Sequence, residues 1–448
     1  MTILWDGDEL ARAVGAASRG FAVSGISIDT RTVKPGDLFV ALQGVRDGHD
    51  FVAEALAKGA AAALVSRPMP GNVLLVEDTL AALGRLGAAA RARAQARIVS
   101  VTGSVGKTTT KEMLRRCLAG FGTVHAAEAS FNNHIGVPLT LARMPRDADF
   151  AVFEIGTNHP GEIAPLAALV RPHVAIITCV DRAHLGLMGS EAAIAAEKAS
   201  IFSALEPGGT AVLPAGTVHD EILRAAVPAG ARVTTFGECG AARLAALENR
   251  ADSCSVAAEI GGVREKFVLA APGAHMARNA VAVLAAAAAL GLEVSRAAAA
   301  LDGFAPYAGR GARREVTLPD RGKILLLDES YNASGASMRA AFAVLALQPG
   351  RHVAVLGDML ELGDAAAAEH EGLRPAVLAG ADLVFTCGEM MKRLFDTLPA
   401  AKQGGHAAAA ADLAPLVTAA LRQGDAVLVK GSYGSRMRDV IAVLEGRG

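Results

Sequence analysis

The residues best suited to chemistry in this chain stand together at Gly103-Ser104-Val105-Gly106-Lys107-Thr108-Thr109. Glycines let backbone N–H groups turn toward an anion, and a helix starting there adds about half a positive charge at its N-terminus. In such a loop the lysine reaches the β- and γ-phosphates and the following hydroxyl, here Thr108, can ligate Mg²⁺. The pattern is the short G-x-x-G-K-T form, because Val101 stands where the longer form has glycine. Read alone, it also fits a Gly-rich strand-to-helix turn with a surface lysine. A phosphate loop does not by itself choose between kinases, motors, GTPases and ligases. A GTPase is expected to carry an Asn-Lys-x-Asp guanine reader, and the sequence has none.

Three further side chains narrow the chemistry. Glu154 ends the apolar run Phe150–Glu154, where a carboxylate at the edge of a parallel sheet meets ligands. His184 follows the apolar run Val174–Thr178, and Lys198 lies in the helical stretch Ala195–Phe202. Each has a plainer alternative: Glu154 as a helix cap, His184 as a satisfied loop histidine, Lys198 as part of a solvated helix face.

The elements that must position them read as an α/β chain in three units. In the first, 39–42, 62–65 and 74–76 read as strands, 50–58 as a helix stopped by Gly59, and 79–97 as a helix leading onward. The second opens with strand 98–101, the glycine turn and helix 108–118, followed by buried parallel strands at 150–154 and 174–178. The segment 208–269 holds several short β-like runs, expected to form a subsidiary sheet. The third starts near Gly311, with strands at 324–328, 352–356, 382–385 and 426–429 alternating with Ala-rich helical stretches, including Ala365–Ala368 and Ala407–Ala411. No fixed-period repeat is present.

Bulk properties exclude several classes. With 448 residues and about 100–200 residues per domain, two to four domains are expected. Forty-four basic against 45 acidic residues leave a net charge of -1, which gives no global attraction to nucleic acid or membrane. Five cysteines, Cys117, Cys179, Cys239, Cys254 and Cys387, form no CxxC pair and point to a reducing compartment. The segment from Met1 to Asp8 lacks a secretory pattern. The longest apolar stretch, 280–292, is too short to span a bilayer and reads as a buried helix. A cytoplasmic protein without membrane insertion is the expectation.

The segments GSVGKTT, FNNHIGVPLTL, FEIGTNHPGEI, DRAHLGLMGS and EKASIF together resemble the Mur ligases, over nearly the whole chain. SIDTRTVKPGDLFVALQGVRDGHDF and LLDESYNASGASM resemble the branch that joins D-alanyl-D-alanine to UDP-N-acetylmuramoyl-tripeptide. The resemblance implies three domains, expected at 1–93 (a small UDP-substrate domain), 94–311 (a phosphate-loop ATPase domain with a parallel sheet) and 312–448 (a Rossmann-like domain binding the dipeptide). It implies a monomer that uses ATP and Mg²⁺. ATP would phosphorylate the tripeptide's terminal carboxylate, and the dipeptide amine would attack the acyl phosphate, giving amide, ADP and phosphate. A carboxylate is a poor acyl donor until one oxygen becomes a phosphate leaving group. Positive charge is needed where one anion attacks another.

The resemblance also assigns roles. Gly103 through Thr109 would bind ATP, with Lys107 catalytic. Thr108, Glu154, His184 and Lys198, the last as a CO₂-derived carbamate, would make the metal site. An unmodified ammonium, with its usual pKa of about 10.4, would repel magnesium. Asn279 would contact adenine, Arg310 the phosphates and Asp328 the ribose, although Arg313 and Arg314 compete with Arg310 for that role. Asn132 and Asn133 would meet phosphate or sugar nucleotide, Asp29, Thr30 and Arg31 the UDP part, and Tyr331 and Asn332 the dipeptide. Because ATP contacts would come from two domains, closure is expected. The chain departs from the family at Ser334-Gly335, where Asn-Pro is common, and at Tyr433, where arginine is common and Arg436 follows later. A sister ligase adding one amino acid, or a folylpolyglutamate-type ligase, shares the phosphate loop. The folate enzyme lacks the UDP segment, and the DESYNAS segment argues against the enzymes that add the first amino acids. A phosphate-loop motor, nucleotide switch or inactive scaffold would explain the loop but not the UDP-type segment or the Glu154, His184 and Lys198 set.

Overall fold

The computed structural model describes residues 2–18, 20–128, 130–319 and 321–447. Met1 and Gly448, the outer limits of the first and third expected domains, lie outside these residues.

Three sheets organise the chain. The first is small and wholly parallel, in the order Gly25–Ser27, Asp37–Val40, Ala62–Val65, Val73–Leu75. Its core runs from Trp5 and Leu10 through Leu38 and Leu64 to Leu83 and Leu86 on the helix Thr79–Arg93. That cluster also takes in Leu139 and Ala142, and the Trp5 indole N–H donates to the Ala142 carbonyl at 2.9 Å, which ties this unit to the next.

The second sheet has nine strands. Arg97–Thr102 lies between Val174–Ile177 and Phe150–Glu154, all parallel. The β-rich segment expected to form a subsidiary sheet instead continues this one. Thr210–Pro214 pairs in parallel with Val174–Ile177, and the antiparallel strands Ala242–Asn249, Cys254–Ile260 and Val263–Leu269 close the far edge. The reason is hydrogen-bond continuity: Val174–Ile177 would otherwise expose a strand edge, and Thr210–Pro214 covers it.

The third sheet runs Ala312–Leu318, Gly322–Glu329, Ala426–Lys430, His352–Gly357, Leu383–Cys387, Gln403–Ala407, with only the first strand antiparallel. Two of these strands have weak sequence signals. Ala312–Leu318 carries two arginines, and Gln403–Ala407 has two glycines and lies partly in an Ala tract, whose helix begins only at Ala410.

Both large sheets have helices on both faces, and this places the crevices. The helix Lys107–Ala119 leaves Arg97–Thr102 toward one face, where it packs with Ala274–Ala289. The helices after the flanking strands, Ile163–Val170 and Glu191–Ala199, pack on the other. In the third sheet, Gly322–Glu329 is followed by Gly335–Leu345 on one face and Ala426–Lys430 by Met437–Leu444 on the opposite face. Adjacent parallel strands whose helices diverge open a crevice beyond their carboxyl ends. Each sheet therefore makes one such crevice.

Candidate functional site

The two crevices line one cleft of about 630 Å³. Its first wall is the phosphate loop. The strand runs through Thr102, and Val101 is buried in register with Glu154 and Ile176, which is why no glycine stands there. Gly103 has φ +146 and a Cβ on it would run into the Thr178 hydroxyl. Gly106 has φ +85 and caps the helix Lys107–Ala119 without a side-chain bond, so the first N–H groups remain for a ligand. The loop is anchored from below: the Ser104 hydroxyl donates to the Asp181 carbonyl at 2.8 Å and the Ser104 N–H to the Cys179 carbonyl at 2.9 Å. Lys107 Nζ folds back onto the Gly103 carbonyl at 2.7 Å, and burial lowers its pKa.

Thr108 and Glu154 are brought together. The Thr108 hydroxyl donates to Glu154 Oε2 at 2.8 Å, and Asn132 Nδ2 donates to Oε1 at 2.8 Å. Glu154 is therefore no helix cap; it is a buried carboxylate fixed by two donors. Ser130 extends this line, 3.4 Å from the Thr108 hydroxyl and accepting from Arg310 Nη2 at 3.0 Å. Arg310 also lies over the Tyr331 ring at 4.0 Å. Of the three neighbouring arginines, it is the one in the cleft. Arg314 pairs with Asp328 and Glu445, and Arg313 lies outside the cleft lining. Arg310 thus converges on Thr108 through Ser130.

Lys198 is buried at 2% exposure, not on a solvated face. Burial first, and the charge of Lys107 second, hold its pKa down at about 7. His184 lines the cleft with its backbone at φ 62, and its Nδ1 bonds Glu361, itself at φ 66. Beside this pair, Gly186 and Gly363 approach so closely that a Cβ on Gly363 would sit 2.8 Å from Gly186 Cα. Strained backbone on both sides marks this as the contact between second and third sheets.

Asn279 lies on the helix Ala274–Ala289 beside Gly106, whose Cβ would come within 2.9 Å of Asn279 Oδ1. Thr109 lines the cleft as well, as do Tyr331 and Asn332. Asn133, Asp328, Asp29, Thr30 and Arg31 are among the expected residues that do not. Asn133 stands just before the helix Gly136–Ala142, its Oδ1 accepting from the Gly136 N–H at 2.9 Å. Asp328 is buried and accepts from the Ser330 hydroxyl at 2.7 Å and from Arg314. Asp29, Thr30 and Arg31 lie on the first sheet's loop, away from the cleft lining. Arg31 bonds Asp29 and lowers its pKa to about 2.

Ser130, His275, Glu329 and Lys430 line or bridge the site without a sequence signal that singles them out. Each gains its place from segments distant in the chain that the fold brings together. Lys430 lies three residues before Tyr433, where the chain departs from the family, and that is the one available hint.

Among the described residues, no group of three or more His, Cys, Asp or Glu is poised to hold a metal. The oxygen donors Thr108 and Glu154 still suit Mg²⁺, which keeps waters and takes phosphate oxygens rather than an all-protein cage. Among the described residues, no helix is long and apolar enough to cross a membrane.

Comparison with known proteins agrees with this architecture. The family models for the Mur ligase catalytic, middle and glutamate ligase domains match residues 22–113, 101–287 and 309–433. The chain is 37% identical over 437 residues to the UDP-N-acetylmuramoyl-tripeptide–D-alanyl-D-alanine ligase of Escherichia coli, covering 94% of each. It is 33% identical to the enzyme of the same name from Bacillus subtilis, over 94% of this chain and 92% of that one. The crystal structure of MurF from Acinetobacter baumannii superposes with a TM-score of 0.87 at 32% identity, over 99% of both chains. The MurF ligase of Thermotoga maritima in complex with ADP gives 0.81 at 28%, over 95% of this chain and 98% of that one. With this identity sustained along nearly its full length, and the phosphate loop and facing crevices in place, the chain belongs to the Mur ligase family.

Proposed function

We propose that this chain ligates D-alanyl-D-alanine to UDP-N-acetylmuramoyl-tripeptide, converting ATP to ADP and phosphate. The observation that carries the reading is the single cleft in which the phosphate loop, Glu154 and Arg310 face the crevice of the third sheet. An acyl phosphate made at one wall can be met there by an amine held at the other.

In the first step an oxygen of the tripeptide carboxylate attacks the γ-phosphorus, and the bond to the ADP oxygen breaks. Lys107 and Arg310 offset the negative charge of the two anions. In the second, the neutral dipeptide amine attacks the acyl carbon. The tetrahedral intermediate expels phosphate, and the amine proton is lost. Mg²⁺ would be held by Thr108 and Glu154, with His184 and the carbamate of Lys198 completing the expected set, and would supply charge neutralisation on the phosphates. A lysine amine held near a pKa of 7 is substantially neutral at physiological pH, the form that reacts with CO₂, and this supports the carbamate. Asn279 is proposed at adenine, and Asp29, Thr30 and Arg31 at the UDP part. Domains at 1–93, 94–311 and 312–448 then divide UDP binding, ATP chemistry and dipeptide binding, in a cytoplasmic monomer.

The test is product mass spectrometry after incubation with ATP, UDP-N-acetylmuramoyl-tripeptide and D-alanyl-D-alanine, with phosphate release in parallel. The expected product is the UDP-muramoyl-pentapeptide. Phosphate release driven by a single amino acid but not by D-alanyl-D-alanine would refute the choice of nucleophile.

A further inference from the structure

The ligation reading requires a dipeptide whose amine faces the phosphate wall. Its terminal carboxylate must then lie toward the opposite wall and find a cation there. Four lysines and arginines line the cleft: Lys107, Arg278, Arg310 and Lys430. Lys107 is held on the phosphate loop, and Arg310 is held at Ser130 beside it. Arg278 pairs with Glu238 and is half-exposed. Lys430 alone belongs to the third sheet.

Its placement is not that of a surface lysine. Lys430 is 2% exposed and ends the strand Ala426–Lys430, in direct register with Glu329 at the end of Gly322–Glu329. These are the two strands whose following helices diverge, so Lys430 sits at the mouth of the crevice. Its ammonium donates to the Asn332 carbonyl at 3.0 Å and to Glu329 Oε2 at 3.3 Å. An ammonium has three donors, so one remains for a carboxylate oxygen. Arg436, the arginine that follows where the family often has one, pairs with Asp439 and lies outside the cleft lining. Tyr433 takes that place and packs on Tyr331, the ring centroids 5.9 Å apart. The cleft lining nearby includes Ala333, Ala336, Ala340 and Ala341, which leave room for methyl side chains.

We infer that Lys430, held extended by Glu329, reads the terminal carboxylate of the incoming dipeptide and makes the enzyme selective for a free C-terminal acid. This rests on the ligation reading. Lys430 is a specificity-determining residue and Glu329 a positioning residue.

The test measures kcat/KM for D-alanyl-D-alanine and for D-alanyl-D-alaninamide at saturating ATP and UDP-N-acetylmuramoyl-tripeptide. A charge-assisted hydrogen bond corresponds to roughly a 10- to 100-fold preference for the acid in the wild-type chain. Lys430→Met is expected to remove most of that preference, lowering the acid while leaving the amide within about threefold and the KM for ATP unchanged. Equal losses with acid and amide would overturn the inference, because they describe a merely structural lysine; so would a wild type that does not discriminate. Should Lys430→Met fail to fold, Lys430→Arg decides: a raised KM for the acid alone supports the inference, and an equal rise for both overturns it. A wild type that turns over only with a single amino acid refutes the ligation reading itself, and this inference with it.

Discussion

Replacing Lys198 by Met should stabilise the protein while abolishing its activity. The side chain is 2% exposed on the helix Glu191–Ala199, and Met fills a similar volume without a charge. Burial, then the nearby charge of Lys107, bring the lysine from its ordinary 10.5 to about 7. That gap corresponds to on the order of 5 kcal/mol of unfavourable energy for the protonated folded form. Between pH 7 and 10.5 the folded lysine is neutral while the unfolded one is charged, so the unfolded chain binds the extra proton. Stability contributed at this site therefore rises with pH, by about 1.4 kcal/mol per unit, and the full penalty stands below pH 7. Urea denaturation in CO₂-free buffer should show Lys198→Met more stable than wild type at pH 7, with the difference shrinking steadily toward pH 9. A variant less stable than wild type at pH 7, or a difference that ignores pH, would refute the reasoning. Bicarbonate adds a second reading. A carbamate confined to the folded state would raise wild-type stability by mass action, leaving Lys198→Met unmoved. Wild type unaffected by bicarbonate would sink the carbamate.

Further outcomes follow from the same geometry. Thr108→Val removes a donor from buried Glu154 and should lower kcat about 10²-fold or more, with the melting temperature falling only a few degrees, read by steady-state kinetics and calorimetry. Gly106→Ala meets both a positive φ and Asn279, so ADP binding by titration calorimetry should weaken by about 1–3 kcal/mol, and unchanged affinity would contradict the loop geometry. Gly186→Ala drives a methyl into the backbone at Gly363, so small-angle scattering should show a more open chain and kcat should fall while ADP affinity holds. Arg91→Met leaves Glu206 and the Val170 and Arg171 carbonyls without their donor, and should destabilise by about 3–5 kcal/mol in urea.

Much of the site is legible in the sequence alone. The loop at Gly103–Thr109 announces itself because its requirements are local: two glycines with positive φ, a lysine and a hydroxyl at fixed spacing before a helix. The alternation of apolar runs with helical stretches likewise revealed the parallel strands around it, since a strand buried on both faces is continuous in hydrophobicity. Glu154 was placed correctly because it ends such a run.

The sequence by itself thus determined the phosphate-binding wall, the α/β class and, through long shared segments, the family. It did not determine which residues share the cleft. Asp328 and Asn133 are expected at ligands, and the fold pairs Asp328 with Arg314 and sets Asn133 at a helix start. Lys198 read as plausibly solvated and is buried, which is what brings its amine toward neutrality. The pairing of Glu329 with Lys430 joins residues 101 apart, and that of His184 with Glu361 joins residues 177 apart. Strand order decides the first and docking of two sheets the second. Those arrangements depend on which edges and faces bury one another, a property of the whole chain that no local spacing encodes.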